Sequence, residues 1–313
     1  MISAARSMLK HLAKSSQRIG RGGEAEAQYL LGNCYGMGAL GWPINHQLAF
    51  QWYTQASKQD HAEGTYRTAV CYELGLGTSK DGARALIFYK KAAVLRHVPS
   101  MYKLGIIHMR GYYGQAVSKR EAVTWLQRAT AGTGSDKSSR VLPHALHALA
   151  LIQLSGECGE TSLISDTKYA MKLLHDAANM GYAPSQTKLG ECYECGHFCP
   201  VDEGQSLYWY TQAARQDYPE AALALSGWYL TGSLKTQSLL QSDTEAYLWA
   251  RRAVTLIRQQ HQTKSVAGKI YYALGVYHEN GIGVRKSAGN AMKWYKRAAS
   301  AGHPGAYRLI SSY

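Results

Sequence analysis

One pattern recurs seven times along the chain, and this repetition restricts the possible folds more than any other feature. Six of the seven copies place a small residue four positions before a Leu-Gly or similar pair, and most have an aromatic residue four positions after the leucine. A Gly-rich turn follows, and then the sequence Ala-x-x-Trp-Tyr-x-x-Ala-Ala or a close variant. Residues spaced by three, four, seven and eight positions share one face of an α-helix. Each copy therefore predicts two amphipathic helices joined by a short turn.

A single helical hairpin of this kind cannot bury its apolar face, whereas stacked copies can. The seven copies start 36 to 49 residues apart, and an eighth begins near the C-terminus. The sequence therefore predicts an all-α fold, a right-handed α-solenoid of about seven two-helix repeats plus a partial eighth, in one domain over residues 25–313. Polar segments such as residues 132–140 are expected to be loops between repeats.

The composition agrees with a folded, reduced protein. Hydrophobic residues make up 46% of the 313 residues, and the formal net charge is +14. No uncharged apolar stretch is long enough to span a bilayer, and residues 1–23 lack the apolar core of a signal peptide. The six cysteines are spread over a long chain, unlike a small secreted disulfide framework. A cytoplasmic location is therefore expected.

Residues 1–24 are predicted to form a basic helix that caps the first repeat. Five cations and no acid occur before residue 24, and apolar residues alternate with them. The same composition is typical of a mitochondrial presequence, which is the minority alternative. We expect residues 1–23 to stay on the mature protein. These charges could also bind an anionic membrane surface.

Motifs that usually indicate chemistry have structural explanations here. The sequence Gly36–Gly41 matches the dinucleotide fingerprint, but it lies at the repeat turn and follows a predicted helix, not a strand. Cys192, Cys195, His197 and Cys199 have a spacing similar to that of a zinc site. However, Cys192 occupies the same core position as cysteines in earlier repeats. We therefore predict no metal, no cofactor, no small-molecule substrate, no nucleic-acid partner and no catalytic residue.

The predicted partner-binding surface is a concave groove lined by the first helix of each repeat. Two positions before the motif leucine, the seven repeats have Tyr29, Tyr66, Tyr102, His147, Thr187, Leu223 and Tyr272. Two positions after it, the first four have Asn33, Val70, Ile106 and Leu151. Aromatic side chains with a polar tip suit protein recognition. The alternative is that these tyrosines pack between adjacent first helices.

The half-motifs resemble the Sel-one-like repeat, a relative of the tetratricopeptide repeat, and Leu274–Ser300 is the most typical copy. Several blocks, among them Thr65–Gly75, Ala224–Ser233 and Gln241–Arg251, are also similar to the repeat domain of fungal chitin synthase activators. They include turn and surface residues that the repeat architecture does not require.

This second resemblance implies a non-catalytic scaffold that binds, activates and places a membrane-embedded chitin synthase in cell-wall and septum synthesis. It also implies a cytoplasmic protein recruited peripherally to the plasma membrane or septum. A general repeat adaptor in protein quality control or signalling is the alternative.

Overall fold

The prediction of an all-α protein is confirmed. The computed structural model describes residues 2–14, 24–131, 142–155, 166–233, 239–260 and 264–311, and these residues contain helices and turns but no β-strand. They form two compact units, residues 1–165 and 166–313. The predicted loop at 132–140 lies outside the described residues. The prediction of one continuous repeat domain over residues 25–313 stays a prediction.

The first unit contains a leading helix, three helical hairpins and a further helix. In chain order these are α1 (Ile2–Lys14), α2 (Ala25–Met37), α3 (His46–Lys58), α4 (Ala62–Leu74), α5 (Gly82–Val94), α6 (Val98–Arg110), α7 (Lys119–Thr130) and α8 (Pro143–Leu154). Each helix from α2 to α8 packs on the helix before it and the helix after it within the unit. Hairpin stacking, as predicted, therefore builds this unit.

The second unit repeats the same arrangement. Its helices are α9 (Thr167–Asn179), α10 (Ala183–Cys195), α11 (Glu203–Arg215), α12 (Pro219–Thr231), α13 (Asp243–Gln260), α14 (Lys264–Asn280), α15 (Ala288–Ser300) and α16 (Pro304–Ser311). Consecutive helices pack on each other throughout the unit. The short helix α16 corresponds to the predicted partial eighth repeat.

The alanines of the second half-motif let the helices approach closely. Ala56, Ala92, Ala129 and Ala213 are completely buried, and a side chain of one carbon allows neighbouring backbones to pack at short range. One turn between helices also limits the size of the side chain that it can contain. Gly77 has a φ of +70°, and a Cβ atom there would lie 2.0 Å from the backbone oxygen of His46. Only glycine fits this position.

A partly buried Tyr–Glu hydrogen bond connects the two helices of three repeats. The hydroxyl of Tyr210 in α11 donates to the Glu194 carboxylate in α10 at 2.7 Å, and the Tyr295 hydroxyl donates to Glu279 at 2.5 Å. Tyr89 donates to Glu73 in the same way. The members of each pair are sixteen residues apart in sequence. This bond satisfies the polar end of a side chain whose ring fills the hairpin interior.

The helix α1 packs against α2. Ala13 is buried, and Leu9 and Leu12 pack with it against Ala27 and Leu31 of α2. Its cations contact the first repeat turn, where the Arg6 Nε donates to the Leu40 carbonyl at 2.6 Å. This is the arrangement that a capping helix requires. Arg18 and Arg21, which contribute to the presequence alternative, lie outside the described residues.

Candidate partner-binding site

The first predicted groove residue, Tyr29, lies in a slot between two repeats. Its ring is 6.3 Å from the ring of Tyr53 in the same hairpin and 5.1 Å from the ring of His61, which precedes α4 of the next repeat. The Tyr29 side chain is half-buried. One part of the ring therefore packs and the remainder faces solvent.

The other predicted tyrosines adopt the same arrangement. Tyr66 lies 4.8 Å from His97 and 5.8 Å from Tyr89, and Tyr102 lies 6.0 Å from His144. In the second unit, Tyr272 stacks on His303 at 4.3 Å and contacts Tyr295 at 5.6 Å. Each of these tyrosines remains half-buried. The tyrosines thus join adjacent repeats and also present part of their surface to solvent.

The histidine against each of the first two tyrosines caps the next first helix. Nδ1 of His61 accepts from the Gly64 amide at 3.0 Å, which leaves Nε2–H to donate to the Glu26 carboxylate at 2.9 Å. His97 repeats this arrangement, with Nε2 2.8 Å from the Glu63 carboxylate. The hydrogen bond from His97 holds the pKa of the Glu63 carboxyl below its usual value, despite burial. Tyr29 and Tyr66 therefore pack against histidine rings whose own positions are fixed by helix capping and by a hydrogen bond to a carboxylate.

The remaining predicted residues have different surroundings. Leu151 is exposed, whereas His147 and Ile106 are half-buried. The Thr187 hydroxyl donates to the Ala183 carbonyl of its own helix at 3.0 Å. Leu223 packs against the apolar core of the second unit. None of these five residues lines the pocket to which Tyr29 belongs.

Three of the predicted residues meet in one pocket of the first unit. Tyr29 and Asn33 of α2 face Val70 of α4 across a pocket of about 370 Å³. Its wall is completed by residues of α2, α3, α4 and the following turn. They are Gly36, Met37, His46, Ala49, Tyr53, Arg67, Cys71 and Leu76.

The pocket combines apolar walls with a small number of oriented polar groups. Asn33 Oδ1 accepts from the Tyr53 hydroxyl at 2.8 Å, which fixes the amide orientation. Nε of Arg67 donates to Glu63 at 3.0 Å, although 44% of the arginine side chain is exposed. Burial raises the pKa of the Tyr53 hydroxyl to about 12, so this group is neutral at physiological pH. Such a pocket suits an apolar side chain flanked by peptide carbonyl or carboxylate groups.

The sequence analysis did not identify the other polar and aromatic members of the site. Arg67 follows Tyr66 directly, and no repeated arginine at this position indicated a role. The histidines at 61, 97 and 303 do form a pattern, since each precedes a first helix. This repeated position of histidine was the sequence signal from which its contact with the groove tyrosines could have been predicted.

The cysteines of the repeats are poorly suited to act as nucleophiles. Burial raises the pKa of the Cys71 and Cys192 thiols to about 11, so little thiolate is present at neutral pH. Among the described residues, no group of three or more His, Cys, Asp or Glu side chains is arranged to hold a metal ion. Cys195, the last residue of α10, and His197, on the turn that follows, are both exposed.

The repeat pattern matches a known family model. The Sel1 repeat model fits seven segments that together cover most of the chain: residues 25–61, 62–95, 98–132, 143–182, 183–218, 219–256 and 271–303. The segment bounds agree with the predicted repeats.

The similar curated proteins are fungal. The chain is 38% identical over 286 residues to Chitin synthase regulatory factor 3 of Schizosaccharomyces pombe, an alignment that covers 91% of this chain and 29% of that protein. It is 35% identical over 297 residues to Chitin synthase regulator SKT5 of Saccharomyces cerevisiae, with 93% of this chain and 40% of that protein covered. The chain thus spans less than half the length of these relatives.

A solved structure has the same fold. The crystal structure of c5321, a protective antigen of uropathogenic Escherichia coli displaying an SLR fold, superposes with a TM-score of 0.71 at 23% identity. The match covers 97% of this chain and 58% of that one. At this identity the likeness concerns the fold alone.

Proposed function

The chain belongs to the Sel1 repeat family, and from this premise we propose that it is a non-catalytic scaffold that binds and regulates a fungal chitin synthase. The observation that carries the proposal is the similarity to two chitin synthase regulators over 91% and 93% of the chain. Both alignments cover more than nine-tenths of this chain and therefore nearly all of its repeats.

The pocket between α2, α3 and α4 is the proposed contact with the partner. Aromatic and apolar side chains that are only half-buried can gain burial when a partner docks, and such anchors dominate binding energies. The pocket is about 370 Å³, which suits one or two side chains of a peptide segment. Arg67 at its edge favours a segment that carries a carboxylate.

Catalysis is not required of this chain in the proposal. The partner is a membrane-embedded synthase, and the scaffold is recruited to it peripherally from the cytoplasm at the plasma membrane or septum. No helix in the described part of the chain is long and apolar enough to cross a membrane. Contact with an anionic membrane surface would assist this recruitment.

A pull-down from detergent-solubilised fungal membranes tests the proposal. The bait is the wild-type chain, a Val70→Lys variant or an Ile87→Lys variant. Val70 lines the pocket, whereas 63% of Ile87 is exposed on α5 outside it. A lysine stem can reach solvent from either position, so both variants should fold.

We expect wild type and Ile87→Lys to recover a chitin synthase equally and Val70→Lys to recover it at least about tenfold less well, as for a hot-spot position. Equal recovery by both variants would reject the pocket as the contact. Recovery of chaperone or ubiquitin-ligase components without a synthase would replace the proposal by the general adaptor function.

A further inference from the structure

The positive charge of the chain is concentrated towards its C-terminus. Residues 246–313 contain eleven Lys and Arg residues and one acid, Glu279. Residues 24–245, by contrast, contain nineteen Lys and Arg residues and twenty acids. Glu279 itself accepts the hydrogen bond of buried Tyr295. The last repeats therefore carry most of the net charge of +14, and their field attracts anions.

A pocket lies within this basic region, between α14 and α15. Its volume is about 410 Å³, and three cationic side chains line it, namely Lys264, Lys296 and Arg297. The rest of the wall consists of small and aromatic residues: Ala267, Tyr271, Ser300 and Ala301. No carboxylate lines the pocket, and none of the three cations pairs with a carboxylate of the described residues. All three cations are exposed, and they line the pocket without a carboxylate beside them in its wall.

Packing restricts the position of one cation. The Arg297 guanidinium lies 4.7 Å from the ring centre of Trp294, and that ring stacks on Tyr271 at 5.7 Å with an interplanar angle of 27°. A cation–π contact limits the rotamers of the arginine, so less freedom is lost when an anion binds. Lys264 is the first residue of α14, where the positive end of the helix dipole adds to the potential.

We propose that this pocket binds a polyphosphorylated anion of the inositol phosphate class. A phosphate group carries up to two negative charges and three acceptor oxygens, and therefore matches a cluster of three donors better than a single carboxylate does. The pocket is larger than one phosphate, and its Tyr271 and alanine wall accommodates a carbon ring between phosphates. The anion can be a soluble inositol phosphate or the headgroup of a phosphoinositide lipid.

The test compares a pocket variant with a control of equal charge. The pocket variant is Lys264→Gln/Lys296→Gln/Arg297→Gln. The control, Arg285→Gln/Lys286→Gln/Arg308→Gln, removes three exposed charges of the same region that do not line the pocket. Both variants lose three positive charges, so they differ only in whether the charges line this pocket.

Binding is measured by calorimetric titration with inositol trisphosphate at physiological salt. It is also measured by sedimentation with phosphatidylcholine vesicles that contain either phosphatidylinositol bisphosphate or an equal charge of phosphatidylserine. We expect the pocket variant to bind at least about tenfold more weakly than wild type, and the control within about twofold of it. Circular dichroism checks that both variants are folded.

The two sources of the anion give different results. Preference for bisphosphate vesicles over phosphatidylserine vesicles supports the lipid headgroup, and tight titration by inositol trisphosphate without vesicle binding supports the soluble anion. Equal losses in both variants would show diffuse charge attraction and overturn the site, as would an absence of binding in wild type. The readouts contain no chitin synthase, so their failure leaves the proposed function untouched.

Discussion

Replacing Glu73 by alanine should destabilise the first unit more than the same change at an equivalent position elsewhere. Glu73 lies near the end of α4 with 19% of its side chain exposed. Its carboxylate accepts hydrogen bonds from the Tyr89 hydroxyl, from the Tyr113 hydroxyl at 2.7 Å and from Nζ of Lys103 at 2.9 Å. These donors come from α5, α6 and the turn after α6, so one carboxylate joins two successive repeats.

The expected cost follows from the burial of each donor. Tyr89 is completely buried, and a buried hydroxyl left without a partner costs about 1–3 kcal/mol. The half-buried Tyr113 loses a charge-assisted bond that contributes about 1 kcal/mol. The Lys103 side chain is 35% exposed, so its pair with Glu73 contributes at most about 1 kcal/mol. Glu73→Ala should therefore lower the free energy of unfolding by about 2–5 kcal/mol.

The matched control is Glu194→Ala in the second unit. Glu194 accepts the same hydrogen bond, from Tyr210 at 2.7 Å, but it is exposed, so water can replace it at the tyrosine hydroxyl. We expect this variant to lose about 1–2 kcal/mol. Urea unfolding monitored by far-UV circular dichroism measures both changes.

The cost of Glu73→Ala should also depend on pH. Burial raises the pKa of Glu73, but the hydrogen bonds from Tyr89, Lys103 and Tyr113 outweigh it, so the pKa lies below its ordinary value. A depressed carboxyl pKa stabilises the fold above the unfolded-state pKa, and this contribution is lost as the pH falls through the folded-state pKa. The difference in the free energy of unfolding between wild type and Glu73→Ala should thus become smaller as the pH falls from 7 towards about 3. A cost no larger than that of Glu194→Ala, or one independent of pH, would refute this reasoning.

Two further predictions concern close packing and thiol reactivity. Gly190→Ala should destabilise by about 1–3 kcal/mol in a thermal melt, because the new Cβ would lie 2.7 Å from the Tyr210 ring. A Cβ atom added at Gly227 in α12 would have no other atom within 4 Å, so Gly227→Ala should stabilise the protein by about 0.5–1 kcal/mol. A loss of stability in both variants would contradict the packing argument. Exposed Cys195 should react with Ellman's reagent in the native state at pH 8, whereas buried Cys71, with a pKa raised to about 11, should react only after unfolding. Rapid labelling of Cys71 in a folded Cys195→Ser variant would contradict the expected protection of this buried thiol.

Much of the internal chemistry of the repeats can be recognised from the sequence by comparing the copies. Tyrosine occurs at 89, 210 and 295 in the second helices, and glutamate stands sixteen residues before each of them. In the repeats that have Leu126, Leu174 or Ala250 instead of this tyrosine, the residue sixteen positions earlier is arginine, cysteine or leucine and not glutamate. Because both helices of a hairpin lie within one repeat, this pairing depends only on local register, and the sequence contains it.

The fold class was determined by the sequence for the same reason. The spacing of small, leucine and aromatic residues specifies which face of each helix is buried, and hairpins with such faces must stack. The residues two positions before the leucine were predicted to line a groove, with packing between repeats as the alternative for the tyrosines. The four tyrosines contact histidine rings of the following repeat and stay half-buried, so their part in partner binding stays a prediction. Tyr29, Asn33 and Val70 were predicted for a common groove, and they share one pocket.

The contacts between repeats were decided by the tertiary structure alone. Tyr29 and Tyr66 contact histidines that lie 34 to 35 residues from their Glu26 and Glu63 partners. Insertions change such separations from repeat to repeat. The same limit applies to the basic pocket, where Lys264 meets Lys296 and Arg297 across two helices. Sequence spacing specifies faces within a helix, whereas the side chains that converge between helices depend on how each helix is rotated and placed against its neighbour.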